Sequence, residues 1–392
     1  MANRYWVGGA GTWDESSTSH WSASSGGATG ASVPTVSDAV FFNANSGSGT
    51  VTVTPSSYIS LYCASLDFTG FVGTFDSADA GGNFTFFVYG NVTLSSGGTY
   101  YVSAGSGYFY GHGFGVVMVG TGTFTSVGKT INILYIGDGS TPTTTTLGDN
   151  LSIQPGSGSG MVGTFQVNNG TFNANNFNIQ TQDFSAFDPG AGNSITINMG
   201  SGTWQLWDDG TGFGWNINFG IPVTGGTLTI NPGTSTIQMG GTTSSPGPVF
   251  NGIGYTYYNL TITGKVQRIA GNNTFNTIAG NYIAGTRTIS FVAGSTQTVS
   301  NFTVSGSSGS LWTLNSAITG TRWNLSKASG TVSVDYLSIR DSNATGGATW
   351  YAGANSTDGG NNSGWTFTAP PSPSGPVAIG TGITIGGGIT IG

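Results

Sequence analysis

The sequence predicts an all-β protein, a right-handed parallel β-solenoid (β-helix), and three observations carry that prediction. The first is a recurring tripeptide of Gly, Thr and an apolar residue. Gly49-Thr50-Val51, Gly73-Thr74-Phe75, Gly98-Thr99-Tyr100 and Gly122-Thr123-Phe124 follow one another at nearly equal steps. Further copies stand at Gly163-Thr164-Phe165, Gly170-Thr171-Phe172, Gly202-Thr203-Trp204, Gly226-Thr227-Leu228 and Gly330-Thr331-Val332. A turn residue feeding a β-branched and then a large apolar residue reads as a strand start. A fixed period in the low twenties is the mark of stacked coils. The second observation is composition. Of 392 residues 69 are Gly and only 6% are charged, against about 25% in an ordinary soluble domain. Ser, Thr, Asn and Gly take the place of Lys and Glu, which disfavours helices. The third is a series of short apolar runs, Thr50 to Val53, Asn83 to Tyr89, Tyr100 to Val102, Val116 to Val119 and Ile131 to Ile136, separated by Gly, Ser and Asn turns. Right-handed winding is expected because parallel crossovers almost always take that hand.

Residues 1–42 read as an N-terminal Trp-rich cap. They hold Gly11-Thr12-Trp13-Asp14, His20-Trp21-Ser22, Val33-Pro34 and Asp38-Ala39-Val40-Phe41-Phe42, with Trp6 ahead of them. The first coil of a solenoid has an open edge that would template pairing with another chain, and large aromatics cover the most area per residue. The succession Gly-x-Trp, Trp-Ser, Pro and Asp-x-Val-x-Phe resembles the N-terminal cap of many secreted and viral β-solenoids.

Residues 43–367 read as the solenoid, at about 24 residues per coil, a period within the range of stacked repeats. A coil of that length fits three short strands and three turns. About thirteen coils at the strand spacing of about 4.8 Å give a rod on the order of 60 Å long. Inward positions are expected to be Val, Ile, Leu and Phe with stacked Thr or Asn, the Asn amides bonding along the axis. Gly137 to Gly160 reads as a longer excursion. The second half carries Asn169 to Phe177, Met199-Gly200-Ser201-Gly202-Thr203-Trp204, Leu228 to Ile237, Tyr258-Asn259-Leu260-Thr261-Ile262 and Asn273-Thr274-Phe275-Asn276. It closes on Asp335-Tyr336-Leu337-Ser338-Ile339, Ser342 to Gly347 and Asn361-Asn362-Ser363-Gly364-Trp365-Thr366-Phe367. This succession resembles uncharacterised β-solenoid proteins of tailed phages. The resemblance implies a virion structural protein, a fibre, spike or capsid decoration, and brings no catalytic residues with it.

Residues 368–392 read as a Pro-rich linker and an extended strand-like tail. Pro370, Pro371, Pro373 and Pro376 stiffen its start. Ile379, Ile383, Ile385, Ile389 and Ile391 then alternate with Gly and Thr, placing Ile on one face of a strand. Such a strand is not stable alone, so it is expected to pair within its own solenoid or with other subunits of a homo-oligomer.

Several function classes are excluded or disfavoured. The net charge is −7 and the eight Lys and Arg are scattered, so no basic patch is offered to nucleic acid. No run of about twenty apolar residues could span a bilayer as a helix, so no membrane partner is expected. Met1 to Val7 lacks the apolar core of a signal peptide, so the chain is expected either to be made and assembled in the host cytoplasm, as a virion protein would be, or to leave by a route its sequence does not show, as the bacterial-surface alternative requires. Cys63 is the single cysteine and sits in an apolar run, where a buried structural thiol is expected. His20 and His112 are far apart and have no Cys partner, so no metal site and no cofactor are expected. Asp138 and Asp149 lie in Gly-rich turns without the repeated acidic spacing of calcium-binding solenoids.

One cluster invites a functional reading. Asp208-Asp209 follows Trp204 and Trp207 and precedes Trp215. A carboxylate pair beside aromatic platforms suits glycan contact, and in a catalytic version glycoside hydrolysis. Neighbouring residues of a strand point to opposite faces, so the pair would converge only in a loop. The leading expectation is therefore a non-enzymatic, rigid, displayed virion rod whose exposed aromatics touch host-surface glycans. A tailspike-like polysaccharide depolymerase and a bacterial surface adhesin are the alternatives.

Overall fold

A computed structural model describes residues 1–53, 61–76, 86–101, 114–141, 143–154, 163–186, 192–206, 216–219, 226–240, 248–280 and 287–372. These residues wind as a parallel β-solenoid, with a single 3₁₀ turn at Ala44–Ser46 as their only helical element. The first face is a ten-stranded sheet running from Trp21–Ser22 and Asn3–Trp6 to Thr227–Asn231. The second is a thirteen-stranded sheet from Leu61–Cys63 to Thr357–Asp358. The third begins as four strands, Gly11–Trp13, Thr50–Val53, Thr74–Asp76 and Thr99–Tyr101, and resumes as ten strands from Thr130–Ile131 to Ser342–Thr345. Three strands, Thr331–Ser333, Thr349–Tyr351 and Trp365–Thr366, form a further sheet near the C-terminal end. At the spacing of paired strands, the thirteen strands of the second face set its length on the order of 60 Å.

Apolar and polar residues alternate along nearly every strand, and the apolar ones stack in register inside. Leu134, Phe165, Phe184 and Ile217 align on the second face, while Phe124 pairs with Leu147 and Phe172 with Ile197 on the first. All of these are buried. The core is thus one continuous column, and each coil's apolar side chains need only the coils above and below.

Coil length is not fixed, which corrects the reading of one constant period. The in-register pairs Val51 and Phe75, Leu260 and Ile278, and Phe184 and Ile217 each close one coil. Only the first keeps the expected step; the second uses distinctly less chain and the third distinctly more. The Gly-Thr tripeptide does not mark one face either. Its first three copies stack on the third face, the copies at Phe124 and Phe172 lie on the first, that at Phe165 on the second, and that at Trp204 on the third. What the tripeptide marks is a corner. A Cβ on Gly202 would lie 2.0 Å from the Phe177 carbonyl oxygen, and one on Gly122 2.2 Å from that of Gly90. Glycine lets successive corners close to strand spacing, and the following Thr begins the next strand.

Three smaller expectations are also revised. Two regular strands, Thr144–Leu147 and Leu151–Ile153, occupy part of the stretch read as a longer excursion, while the lap from Leu134 to Phe165 that contains it does use distinctly more chain than the expected step; residues 155–160 lie outside the described residues. The run from Ile131 to Ile136 turns a corner at Asn132, whose side-chain amide donates to the Gln154 carbonyl at 2.8 Å, and serves two faces. The Asn ladder of the first face is on the outside. Asn231 donates to Asn198 at 2.7 Å, Asn198 to Asn173 at 2.6 Å and Asn173 to the Thr146 hydroxyl at 3.1 Å. Its neighbours Phe172, Ile197 and Met199 take the inward positions, because apolar residues outcompete amides for the dry side. An inward amide pair does occur once in the late coils, where Asn273 donates to Gln297 at 2.9 Å and both are buried.

Between residues 256 and 303 the section changes. Thr256–Ile262, Thr274–Gly280 and Thr296–Thr303 are seven or eight residues long and span what were two faces. Thr236–Met239 hands its ladder to residues 259–262, whereas Asn324–Ser326 takes up the ladder at residues 296–298.

Both described ends are closed by aromatics. At the N-terminal end Trp21–Ser22 covers the edge of Asn3–Trp6 in the one antiparallel strand pair among the described residues. Trp6, Trp13 and Trp21 are buried, Trp13 meets Trp21 edge-on at 5.0 Å, and His20 stacks on Trp6 at 4.6 Å. At the other end Trp350 meets Trp365 edge-on at 5.2 Å.

Asp341, 2% exposed, ties the last coils together. It accepts the Asn361 amide at 2.7 Å and the Gly320 NH at 3.1 Å. The Asn361 bond first, then the Gly320 NH and the charges of Arg340 and Arg322, outweigh burial and hold its carboxyl below the usual range. A depressed value stabilises the fold above the unfolded value of about 4 and is lost as pH falls through the folded one. Hydrogen-exchange protection of residues 320–362 should therefore fall as pH drops below the unfolded value of about 4, and Asp341→Asn should flatten that fall. Unchanged protection of the native chain over the same drop in pH would contradict this role.

Candidate functional site

A groove of about 490 Å³ lies on the outer surface of the third face. Four strands build its floor: Leu151–Ile153, Ile179–Thr181, Thr203–Leu206 and Thr236–Met239. Strand alternation sends Leu151, Ile179, Trp204 and Ile237 into the core. It leaves Ser152, Gln180, Gln205 and Gln238 facing out in a single registered column. Gly128, Asn150, Asn178 and Thr203 form the rim.

The rim is organised by a second column. Asn150 Oδ1 accepts the Asn178 NH at 2.9 Å, and Asn178 Oδ1 accepts the Thr203 NH at 2.8 Å. Each carboxamide oxygen satisfies a corner NH of the next coil, and the two NH₂ groups remain as donors at the groove's lip. On the floor the half-buried carboxamides of Gln180, Gln205 and Gln238 make no hydrogen bond to any described residue. They differ in this from the first-face Asn column, whose amides bond one another. The groove thus offers amide donors and acceptors at strand spacing, with no ionisable side chain in its lining.

The residues singled out in the sequence fare differently. Trp204 is 1% exposed, donates its indole NH to the Met199 carbonyl at 3.2 Å, and packs edge-on against Phe172 and Phe184. It is a core residue and not a glycan platform, because strand alternation turns it inward beside the outward Gln205. Trp207, Asp208, Asp209 and Trp215 lie outside the described residues, as do the tail residues Ile379, Ile383, Ile385, Ile389 and Ile391 and also His112.

The remaining candidates hold structural posts. Asp138 accepts the NH groups of Ser140 and Thr141 at 2.9 and 3.0 Å. Burial works against its charge, but those bonds prevail and keep the carboxyl below the usual range. Asp149 accepts the Ser126 NH at 2.8 Å. Both are turn carboxylates. Cys63 is buried, which pushes its thiol up to about 12 and keeps it as an unreactive packing group. Among the described residues no three His, Cys, Asp or Glu side chains converge as a metal site, and no helix is long and apolar enough to cross a membrane.

Sequence reasoning missed the glutamine column. Its signal was present in the triplets Ile179-Gln180-Thr181, Trp204-Gln205-Leu206 and Ile237-Gln238-Met239. What hid it is unequal spacing. Gln238 lies farther along the chain from Gln205 than Gln205 does from Gln180, and only the register makes them equivalent. No family model, no curated protein and no solved structure matches the chain.

Proposed function

We propose that this chain is a non-enzymatic structural rod of a phage particle, a fibre, spike or capsid decoration, that holds a surface out toward host-cell glycans. The observation that carries the reading is mechanical: one ladder of parallel strands runs through all thirteen strands of the second face. Bending or shearing such a rod breaks many backbone bonds together, and its nearly uncharged surface makes its stiffness insensitive to salt. The virion assignment is supported by the resemblance of residues 161–367 to phage solenoid proteins. Association of several copies and contact with other virion proteins belong to the same reading.

Immunogold labelling of purified particles from a host that carries the gene tests it. Label at regular positions on the particle is the expected result. Label confined to the bacterial envelope would replace the reading with the adhesin alternative. Release of reducing ends from host capsule by the purified chain would replace it with the depolymerase.

A further inference from the structure

We infer that the third-face groove is the glycan-contacting site and that it takes an uncharged oligosaccharide lying along the rod axis. The inference deepens the preceding reading by giving the glycan contact a place and a ligand class. Four features lead to it. The floor is a column of Ser152, Gln180, Gln205 and Gln238, one residue per coil. The coil spacing of about 4.8 Å is close to the length of one hexopyranose, so a saccharide chain can present one residue to each coil. A carboxamide offers both a donor and an acceptor, which matches a sugar hydroxyl, itself both. The floor carboxamides make no hydrogen bond to any described residue and keep access to solvent, so sugar hydroxyls can reach them without first breaking an internal bond.

Charge selects among glycans. The lining contains no Lys, Arg, Asp or Glu, so nothing offsets the desolvation of a carboxylate or sulfate. The chain's net charge of −7 further opposes an anionic polymer. The first face lacks the same capacity, because Asn173, Asn198 and Asn231 already use their amides on one another.

The test is calorimetric titration of the full chain with neutral hexasaccharides of glucose, galactose and mannose, and with a hyaluronan hexasaccharide as the anionic comparator. Binding of at least one neutral hexasaccharide is expected, with hyaluronan weaker. Replacing Gln180, Gln205 and Gln238 together by alanine should weaken that binding at least about tenfold, while Asn173→Ala with Asn198→Ala leaves it within about twofold. Should the triple variant fail to fold, Gln205→Ser alone should weaken binding about threefold. The inference is overturned if no neutral hexasaccharide binds, if hyaluronan binds best, or if the glutamine variants bind as the native chain does. None of those results touches the virion reading, which the gold labelling decides separately.

Discussion

Alanine in place of Trp323 is expected to cost about 3–5 kcal/mol, the usual range for removing a large aromatic from a packed core. Trp323 is fully buried, and its ring stacks on Phe291 at 3.8 Å with 10° between the planes. It stands where the ladder passes from the long strand Thr296–Thr303 to the closing coils. In a stack held by nearest neighbours a defect is felt locally. The coils after residue 323 should therefore loosen while those before Thr256 keep their protection. Limited proteolysis read by mass spectrometry should give a resistant N-terminal fragment and new cuts beyond residue 323. A variant cut as slowly as the native chain throughout would show that this contact does not couple the two parts.

Gly170→Ala carries the second large effect, through geometry alone. Gly170 has φ +87°, and a Cβ there would lie 2.0 Å from the Thr143 carbonyl oxygen and 2.4 Å from its nitrogen. The left-handed conformation costs about 1–2 kcal/mol for a residue with a Cβ, and displacing the neighbouring coil's backbone about 1–3 more. Gly192 is the control, because it has φ +96° with nothing within 4 Å of the same position. Chemical denaturation should place the Gly170→Ala midpoint well below that of Gly192→Ala. Equal midpoints would mean that the corner yields and that coil contact at Thr143 is not what requires glycine.

These two residues show how far the sequence could be read. The architecture was legible because it rests on composition and local pattern: few charges, strand-length apolar alternation, and Trp residues gathered at one end. The corner role of Gly170 and Gly202 was only half legible. The tripeptide could be seen, but a Cβ collision involves a residue of the coil below, which sequence distance does not reveal. The same limit explains Trp204. As a Trp near Asp208-Asp209 it looked like a platform, whereas its neighbour Gln205 is the outward residue, and only the strand's phase decides between them. The Asn ladder was foreseen as a device and misplaced as to side, since alternation with Phe172 and Ile197 had to be known first.

The short lap from Leu260 to Ile278, the middling one from Ile289 to Leu314 and the long one from Phe184 to Ile217 all keep the same inward registration. Height along this column is metered by backbone hydrogen bonds and not by how much chain each lap consumes. A lap that consumes more chain leaves the axial scale untouched, so laps can be lengthened one by one without changing height. Foreign peptides spliced between the strands of chosen laps would decorate the shaft at heights set in advance, as graduations on a ruler.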